Sequence, residues 1–395
     1  MAKLLNATIL AEVKADGLKS TGVVLQYDEA AIHAAADYQV EGREITGICR
    51  TGAQVTLFLA PNADDAMTHE VDKDGLPLRR KQPTQAGKEE GNKEAMTGPV
   101  EDGRHTAFKV PVLSVSTPEG EIRTAGFTCE VMEKFQLFSL GGSDYMLYIP
   151  EHLGAGKQYP LVLYVPDARG IARDPRVALA VTCGGTMWVE DDWQQEHPCF
   201  VLVPAFKPME ILTHDDFTYH EKLPLILSMI REVTERYPVD ENRIYGIGAS
   251  MGCMTNCQLD IMAPELFAAQ ILVAGQWDAE KCGKVMKDKP LWILVSDGDL
   301  KAHPGMDAIT ASIEANGGTV TRYVWDAKKD DLEAKARETL VDTAACRYVI
   351  FAGNSVIPEG APIHGGTHHI FSFPVAYSIR TIREWLFTNH KEARV

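Results

Sequence analysis

The chain has no apolar run approaching the roughly 18–20 residues of a membrane span, so a transmembrane helix is not expected. It is short of positive charge: 39 Lys and Arg stand against 55 Asp and Glu, a formal net charge of -16 at pH 7. Phosphate backbones and anionic lipid surfaces require a basic surface, so neither nucleic acid nor a membrane is an expected partner. The acidity reads as solubility. No C-x-x-C pair with a nearby histidine is present, so neither a metal nor a cofactor is expected. The cysteines Cys49, Cys129, Cys183, Cys199, Cys253, Cys257, Cys282 and Cys346 are scattered, mostly in apolar runs. They read as buried free thiols of a reducing compartment. The opening Met1-Ala2-Lys3-Leu4-Leu5-Asn6 lacks a long apolar segment and a small-residue cleavage site. The expected location is the cytoplasm as the chain stands, or the exterior if a leader has been removed.

What is present points to two domains. A single core rarely grows past roughly 250–300 residues, and the chain has 395, with 45% apolar and 24% charged residues. Over residues 1–130, short apolar runs recur between turn signals: Thr21 to Leu25, Glu44 to Cys49, Gln54 to Leu59, Ala107 to Val115 and Ile122 to Cys129. Such spacing predicts a small all-β sandwich. The stretch 69–104 is rich in Lys, Glu, Gly and Pro, and reads as a long charged loop, mobile or disordered. Over residues 131–395 the pattern changes. A hairpin, Phe135 to Leu140 and Tyr145 to Ile149, opens it. The apolar runs Leu161 to Val165, Phe200 to Val203, Arg243 to Ile247, Ala269 to Val273, Leu291 to Val295 and Tyr348 to Phe351 follow. Helical stretches lie among them: Leu223 to Tyr237, Met251 to Ile261, Met306 to Asn316 and Ala376 to Thr388. The class predicted is α/β, a doubly wound, mostly parallel sheet buried on both faces, with ligands beyond the carboxyl ends of its strands.

One such end carries chemistry. The run Arg243 to Ile247 leads into Gly248-Ala249-Ser250-Met251-Gly252 and then a helical stretch, a G-x-S-x-G in strand–turn–helix context. The glycines allow a sharp turn. The turn presents the Ser250 hydroxyl at a helix N-terminus, where free N–H groups favour negative charge. The Met251 N–H, just after the nucleophile, is one candidate oxyanion donor. A serine nucleophile needs a base, and the base an orienting acid, in the chain order Ser, Asp or Glu, His. The acid candidates are Asp297 and Asp299, with Asp299, deeper in its loop, preferred. The base candidates are His364, His368 and His369, with His369 preferred and His368 next. The second oxyanion donor is expected in Pro166-Asp167-Ala168-Arg169-Gly170. Pro166 has no N–H, which leaves Ala168 or Arg169. Gln276 and Trp277, directly after a strand, are candidate substrate-binding residues, with Trp188 or Phe206 as further aromatic walls. Such walls suit an apolar or aryl ester.

With these residues in view, the second half resembles α/β-hydrolase esterases related to polyhydroxybutyrate depolymerases and prolyl-oligopeptidase-like hydrolases. It is closest in kind to bacterial esterases that carry an N-terminal immunoglobulin-like domain. The resemblance rests on Tyr159-Pro160-Leu161-Val162-Leu163-Tyr164, His197-Pro198-Cys199-Phe200-Val201-Leu202, Asp240-Glu241-Asn242-Arg243-Ile244-Tyr245, Ser250-Met251-Gly252-Cys253, Val273-Ala274-Gly275-Gln276-Trp277-Asp278 and Trp385-Leu386-Phe387. It implies Ser250 as nucleophile, Asp299 as acid and His369 as base of an ester-cleaving triad. It also implies that residues 1–130 are an immunoglobulin-like sandwich. Two departures stand out. Pro166 and Asp167 replace the family's frequent histidine or glycine, and Phe371 and Phe373 stand where tryptophan is common.

Three rival readings fit parts of the sequence. Gly246 to Gly252 also fits a loose dinucleotide-binding motif, with Asp278 as its acid, but it falls too late in its domain. A non-catalytic binding protein leaves the triad unexplained. A peptidase keeps the mechanism and changes the bond. The expected substrate is a small-molecule or polymeric ester, and a homo-oligomer through the N-terminal domain is a further expectation.

Overall fold

The computed structural model describes residues 2–78 and 103–391. The first part of the chain is all β. It comprises β1 (Leu4–Lys14), β2 (Gly17–Tyr27), β3 (Gln39–Val40), β4 (Ile45–Thr51), β5 (Gln54–Leu59), β6 (Thr68–Val71), β7 (His105–Phe108), β8 (Ser114–Thr117), β9 (Gly120–Arg123) and β10 (Phe127–Thr128). They form a five-stranded sheet β10-β1-β2-β5-β4, a three-stranded sheet β3-β8-β9 and a ribbon β6-β7. Val23, Leu25, Tyr27, Val40, Val55, Leu57 and Val115 make one apolar core shared by the two sheets. The run expected from Ala107 to Val115 is broken between β7 and β8, where Pro111 lies. Most of the loop expected over 69–104 falls on residues 79–102, outside the described residues. Its described flanks, β6 and β7, pair antiparallel, Val71 opposite His105.

The second part is built on one nine-stranded sheet. Its strands are β11 (Phe135–Leu140), β12 (Ser143–Tyr148), β13 (Tyr159–Val165), β14 (Phe200–Ala205), β15 (Val239–Ala249), β16 (Ala269–Val273), β17 (Leu291–Ser296), β18 (Val320–Trp325) and β19 (Cys346–Phe351). Their order is β11-β12-β14-β13-β15-β16-β17-β19-β18. In that order β11 pairs antiparallel with β12 and β12 antiparallel with β14, so β12 alone runs against the others, and the strands from β14 to β18 are parallel. Apolar side chains alternate between two cores: Val162 and Tyr164 of β13 face one, Leu161, Leu163 and Val165 the other. A strand buried on both faces has no solvent side, which is why these runs are apolar throughout.

The longer helices are α1 (Leu225–Arg236), α2 (Met251–Met262), α3 (Ala279–Met286), α4 (Ala302–Ala315), α5 (Leu332–Thr339), α6 (Gly365–Ser378) and α7 (Arg380–Phe387). The single helix expected from Ala376 to Thr388 is instead α6 and α7, which meet at Ile379 in an extended conformation (φ -83°, ψ 97°). The first apolar cluster does not stop at the expected 130/131 boundary. It joins Ile9, Ala11, Leu18 and Met67 of the N-terminal strands to Leu179, Ala180 and Met187.

Within α2 the Asp260 carboxylate accepts hydrogen bonds from Gln270 and Lys289. Burial pushes its pKa up to about 7, against the pull of the Lys289 ammonium and the Gln270 amide. Between its ordinary 3.8 and about 7 the folded chain holds a proton here that the unfolded chain has lost, so this group's contribution to stability declines as pH rises through that window. Asp260→Asn is therefore expected to gain on the wild type by roughly 1–4 kcal/mol between about pH 4 and pH 7. Urea unfolding of both proteins across that range checks this, and a difference independent of pH would refute it.

Candidate active site

The sharp turn expected at Ser250 is present. The residue joins β15 to α2 at φ 53°, ψ -121°, a left-handed conformation that costs an L-residue roughly 1–3 kcal/mol. Its N–H donates to the Val273 carbonyl at 3.0 Å, which ties the turn to the end of β16. The flanking glycines are steric necessities. A Cβ on Gly252 would lie 1.9 Å from the Val165 carbonyl oxygen, and one on Gly248 would lie 2.4 Å from the carbonyl carbon of Gly252. No side chain fits between the first turn of α2 and β13.

Three elements converge on this hydroxyl: the turn after β15, the loop after β17 and the start of α6. The Ser250 Oγ lies 2.9 Å from His369 Nε2, and His369 Nδ1 lies 2.5 Å from Asp299 Oδ2. Asp299 follows β17, is 1% exposed, and its Oδ1 accepts from the Ala302 and Lys301 N–H groups at 2.9 and 3.2 Å. Burial pushes its pKa up. The hydrogen bond and charge of His369, with the two N–H groups, outweigh that and hold the carboxyl below its ordinary value. An ionised carboxylate only accepts. Nδ1 must therefore carry the imidazole proton and donate to Asp299, which leaves Nε2 bare to accept from the Ser250 hydroxyl.

The competing residues have other partners. His368 is buried, its Nδ1 lies 2.8 Å from Ser296 Oγ, and burial lowers its pKa. Its ring packs against Gly298, where a Cβ would come within 2.3 Å, so the glycine between the two aspartates is also dictated by packing. His364 caps α6, accepting from the Thr367 N–H at 3.3 Å. Asp297 accepts from the Gly353 N–H at 2.7 Å and braces its loop.

Both expected oxyanion donors are available. Met251 is the first residue of α2, and among the described residues no acceptor takes its N–H. After β13 the chain makes a single 3-10 turn, Ala168–Gly170, in which the Arg169 N–H is committed to the Asp167 carboxylate at 3.0 Å. Of the two alternatives this leaves Ala168.

The aromatic walls expected from the sequence are placed differently. Trp277 is 2% exposed, and its indole N–H donates to Gln258 at 3.1 Å. It backs the surface and meets Phe217 edge-on, ring centroids 5.8 Å apart. Trp188 and Phe206 are buried in the two cores. Gln276 is half-buried and donates to Asp215 at 2.8 Å. The segment between β14 and α1 was missed by sequence reasoning. Its Thr213 hydroxyl donates to the Met251 carbonyl at 3.3 Å, and Asp215 bridges Gln276 and Lys301. It carries Phe217 at φ 66°, 45% exposed. Its one sequence signal is length, since the chain runs from Ala205 to Leu225 between the two elements. Leu300 and Ile370, the sequence neighbours of Asp299 and His369, are large apolar residues 60% and 41% exposed.

Among the described residues one group of possible metal donors exists, Glu196, His197 and Glu384. Arg380 already occupies it, pairing with both glutamates at 2.7 and 2.9 Å. No described helix is long and apolar enough to cross a membrane.

No family model matches the sequence, and no curated protein does. Among solved structures, a thermostable esterase superposes with a TM-score of 0.74 at 19% identity, over 98% of this chain and 100% of that one. A ferulic acid esterase matches with a TM-score of 0.41 at 10% identity, over 64% of this chain and 97% of its own. The first likeness shows the fold: a mixed α/β sheet of the α/β-hydrolase type.

Gly252→Ala tests the steric argument. The new methyl must displace backbone, so a loss of ~1–3 kcal/mol is expected. A thermal unfolding midpoint equal to that of the wild type would show that the close approach is not real.

Proposed function

We propose that the protein is a serine hydrolase that cleaves carboxylic esters through an acyl-enzyme. The reading rests above all on the hydrogen-bonded chain Ser250–His369–Asp299, set on a strained turn where the parallel strands end. In this reading His369 Nε2 takes the Ser250 proton as Oγ attacks the ester carbonyl. The Met251 and Ala168 N–H groups hold the resulting oxyanion. His369 then gives the proton to the departing alcohol, and water, deprotonated by the same imidazole, releases the acid. Asp299 fixes the imidazole tautomer and stabilises the imidazolium.

Exposed apolar side chains on the segments that carry or neighbour the site, Phe217, Leu300 and Ile370, support a preference for esters with a bulky apolar or aryl group. We read the catalytic part as residues 131–395, related to the depolymerase and prolyl-oligopeptidase-like esterases. We read residues 1–130 as an immunoglobulin-like sandwich, since two sheets there face each other across one core.

Ser250→Ala is expected to lower p-nitrophenyl acetate turnover at least ~10⁴-fold and to abolish labelling by a fluorophosphonate. Asp299→Asn is expected to lose about 10⁴-fold in kcat, while Asp297→Asn stays within a few-fold of the wild type. Full turnover by Ser250→Ala would dismiss the mechanism. Phe217→Ala should raise KM about tenfold for an aryl or medium-chain acyl ester and leave the acetate unaffected. Equal effects on both esters would remove Phe217 from the substrate surface.

A further inference from the structure

The turn after β13 has an unusual internal economy of N–H groups. Asp167 is 3% exposed, and its carboxylate accepts three hydrogen bonds from Arg169: from its backbone N at 3.0 Å, Nε at 2.8 Å and Nη2 at 3.0 Å. The Gly170 N–H donates to the Asp167 carbonyl at 2.8 Å, and the Ile171 N–H to the Ala168 carbonyl at 3.2 Å. Among residues 168–171 only the Ala168 N–H is left without an acceptor. Burial pushes the Asp167 carboxyl up, but the charge and hydrogen bonds of Arg169 outweigh it and hold the group below its ordinary value, ionised.

The same turn lies against the nucleophile. Its first residues follow the Val165 and Pro166 carbonyls that crowd Gly252. Its far end is held by the N-terminal ribbon: the Thr106 N–H donates to the Ile171 carbonyl at 3.3 Å, and Thr106 bridges Ala172. The Arg169 guanidinium lies 5.8 Å over the Phe373 ring, and that ring meets His369 edge-on at 5.0 Å. The turn is thus fixed at both ends, and Asp167 decides which of its N–H groups remains unused.

We propose that Asp167 is a positioning residue: by taking the Arg169 N–H and guanidinium, its carboxylate aims the Ala168 N–H at the oxyanion. The inference rests on the ester-hydrolase reading. It assigns a role to a residue that departs from the pattern of the resembling esterases. Without an acceptor at position 167 the Arg169 N–H is released, the turn relaxes, and the Ala168 donor loses its direction. Loss of one oxyanion donor typically costs ~10²–10³ in kcat, so misdirection is expected to cost about 10–100-fold.

The test compares Asp167→Ala, Asp167→Asn and Ser250→Ala in the full chain. Three quantities are read: kcat and KM for p-nitrophenyl acetate, inhibition by a trifluoromethyl ketone that forms an oxyanion on serine, and the thermal midpoint. Asp167→Ala should lose about 10–100-fold in kcat with KM within a few-fold, and ketone affinity should fall in parallel. Asp167→Asn, whose amide oxygen can still accept from the Arg169 N–H, should recover most of both. A purely structural role would lower the midpoint and leave ketone affinity intact. The inference is overturned if folded Asp167→Ala keeps kcat and ketone affinity within twofold. It is also overturned if Asp167→Asn is as impaired as the alanine variant. If Ser250→Ala retains turnover, the hydrolase reading itself has failed. If Ser250→Ala is inactive and Asp167→Ala is not impaired, only the role of Asp167 falls.

Discussion

The close approach of α2 to the end of β13 governs the site. With the Val165 carbonyl oxygen where a methyl of residue 252 would be, the backbone at 248 and 252 has room for glycine alone. The chain must turn sharply to enter the helix at that distance, and the residue at the turn takes a positive φ. The consequence is geometric. The first N–H of α2 and the turn after β13 are brought side by side, and the hydroxyl between them is lifted above the strand ends. Replacing glycine would move backbone, because the obstructing atoms are carbonyls and not side-chain ends.

Two buried carboxylates lie within the electrostatic reach of the same imidazole, and their partners separate them. Asp299 has the His369 Nδ1 as its side-chain partner and two backbone N–H groups behind it, so its charge acts on the ring. Asp167 spends its charge on the Arg169 guanidinium. Burying a carboxylate is costly unless it is hydrogen-bonded and paired. The chain meets that cost in one place with the imidazole and two backbone N–H groups and in the other with a guanidinium.

Much of this was legible in residue order. The strands beneath the site read clearly because they are buried on both faces, and Ala269–Val273 was bounded as observed. The half-exposed edge strand β18 was not read, since Thr321, Arg322 and Tyr323 dilute its apolar signal. Ser250 was readable from local rules, because its glycines answer a local clash. Among His364, His368 and His369 the residues favoured His369 without deciding the choice. Adjacent helical positions point in different directions, and only the resting place of α6 against β17 sends residue 369 to Ser250 and 368 to Ser296. Trp277 misled for a related reason. A tryptophan directly after a strand can face a cleft or the core, and the Gln258 carbonyl that claims its N–H lies on α2, far away in sequence.

The N-terminal strands belong to this same structure. Ile9, Ala11, Leu18 and Met67 continue the apolar cluster that contains Leu179, Ala180 and Met187, and Phe108 packs against Ala172, Val177 and Val181. Residues 131–391 alone would present those side chains to water, an apolar patch that a soluble surface tolerates poorly. The covering strands also supply the Thr106 N–H that holds the Ile171 carbonyl, just past the turn beside Ser250. Packing and hydrogen bonding therefore run without a break from the first hairpin to the turn after β13.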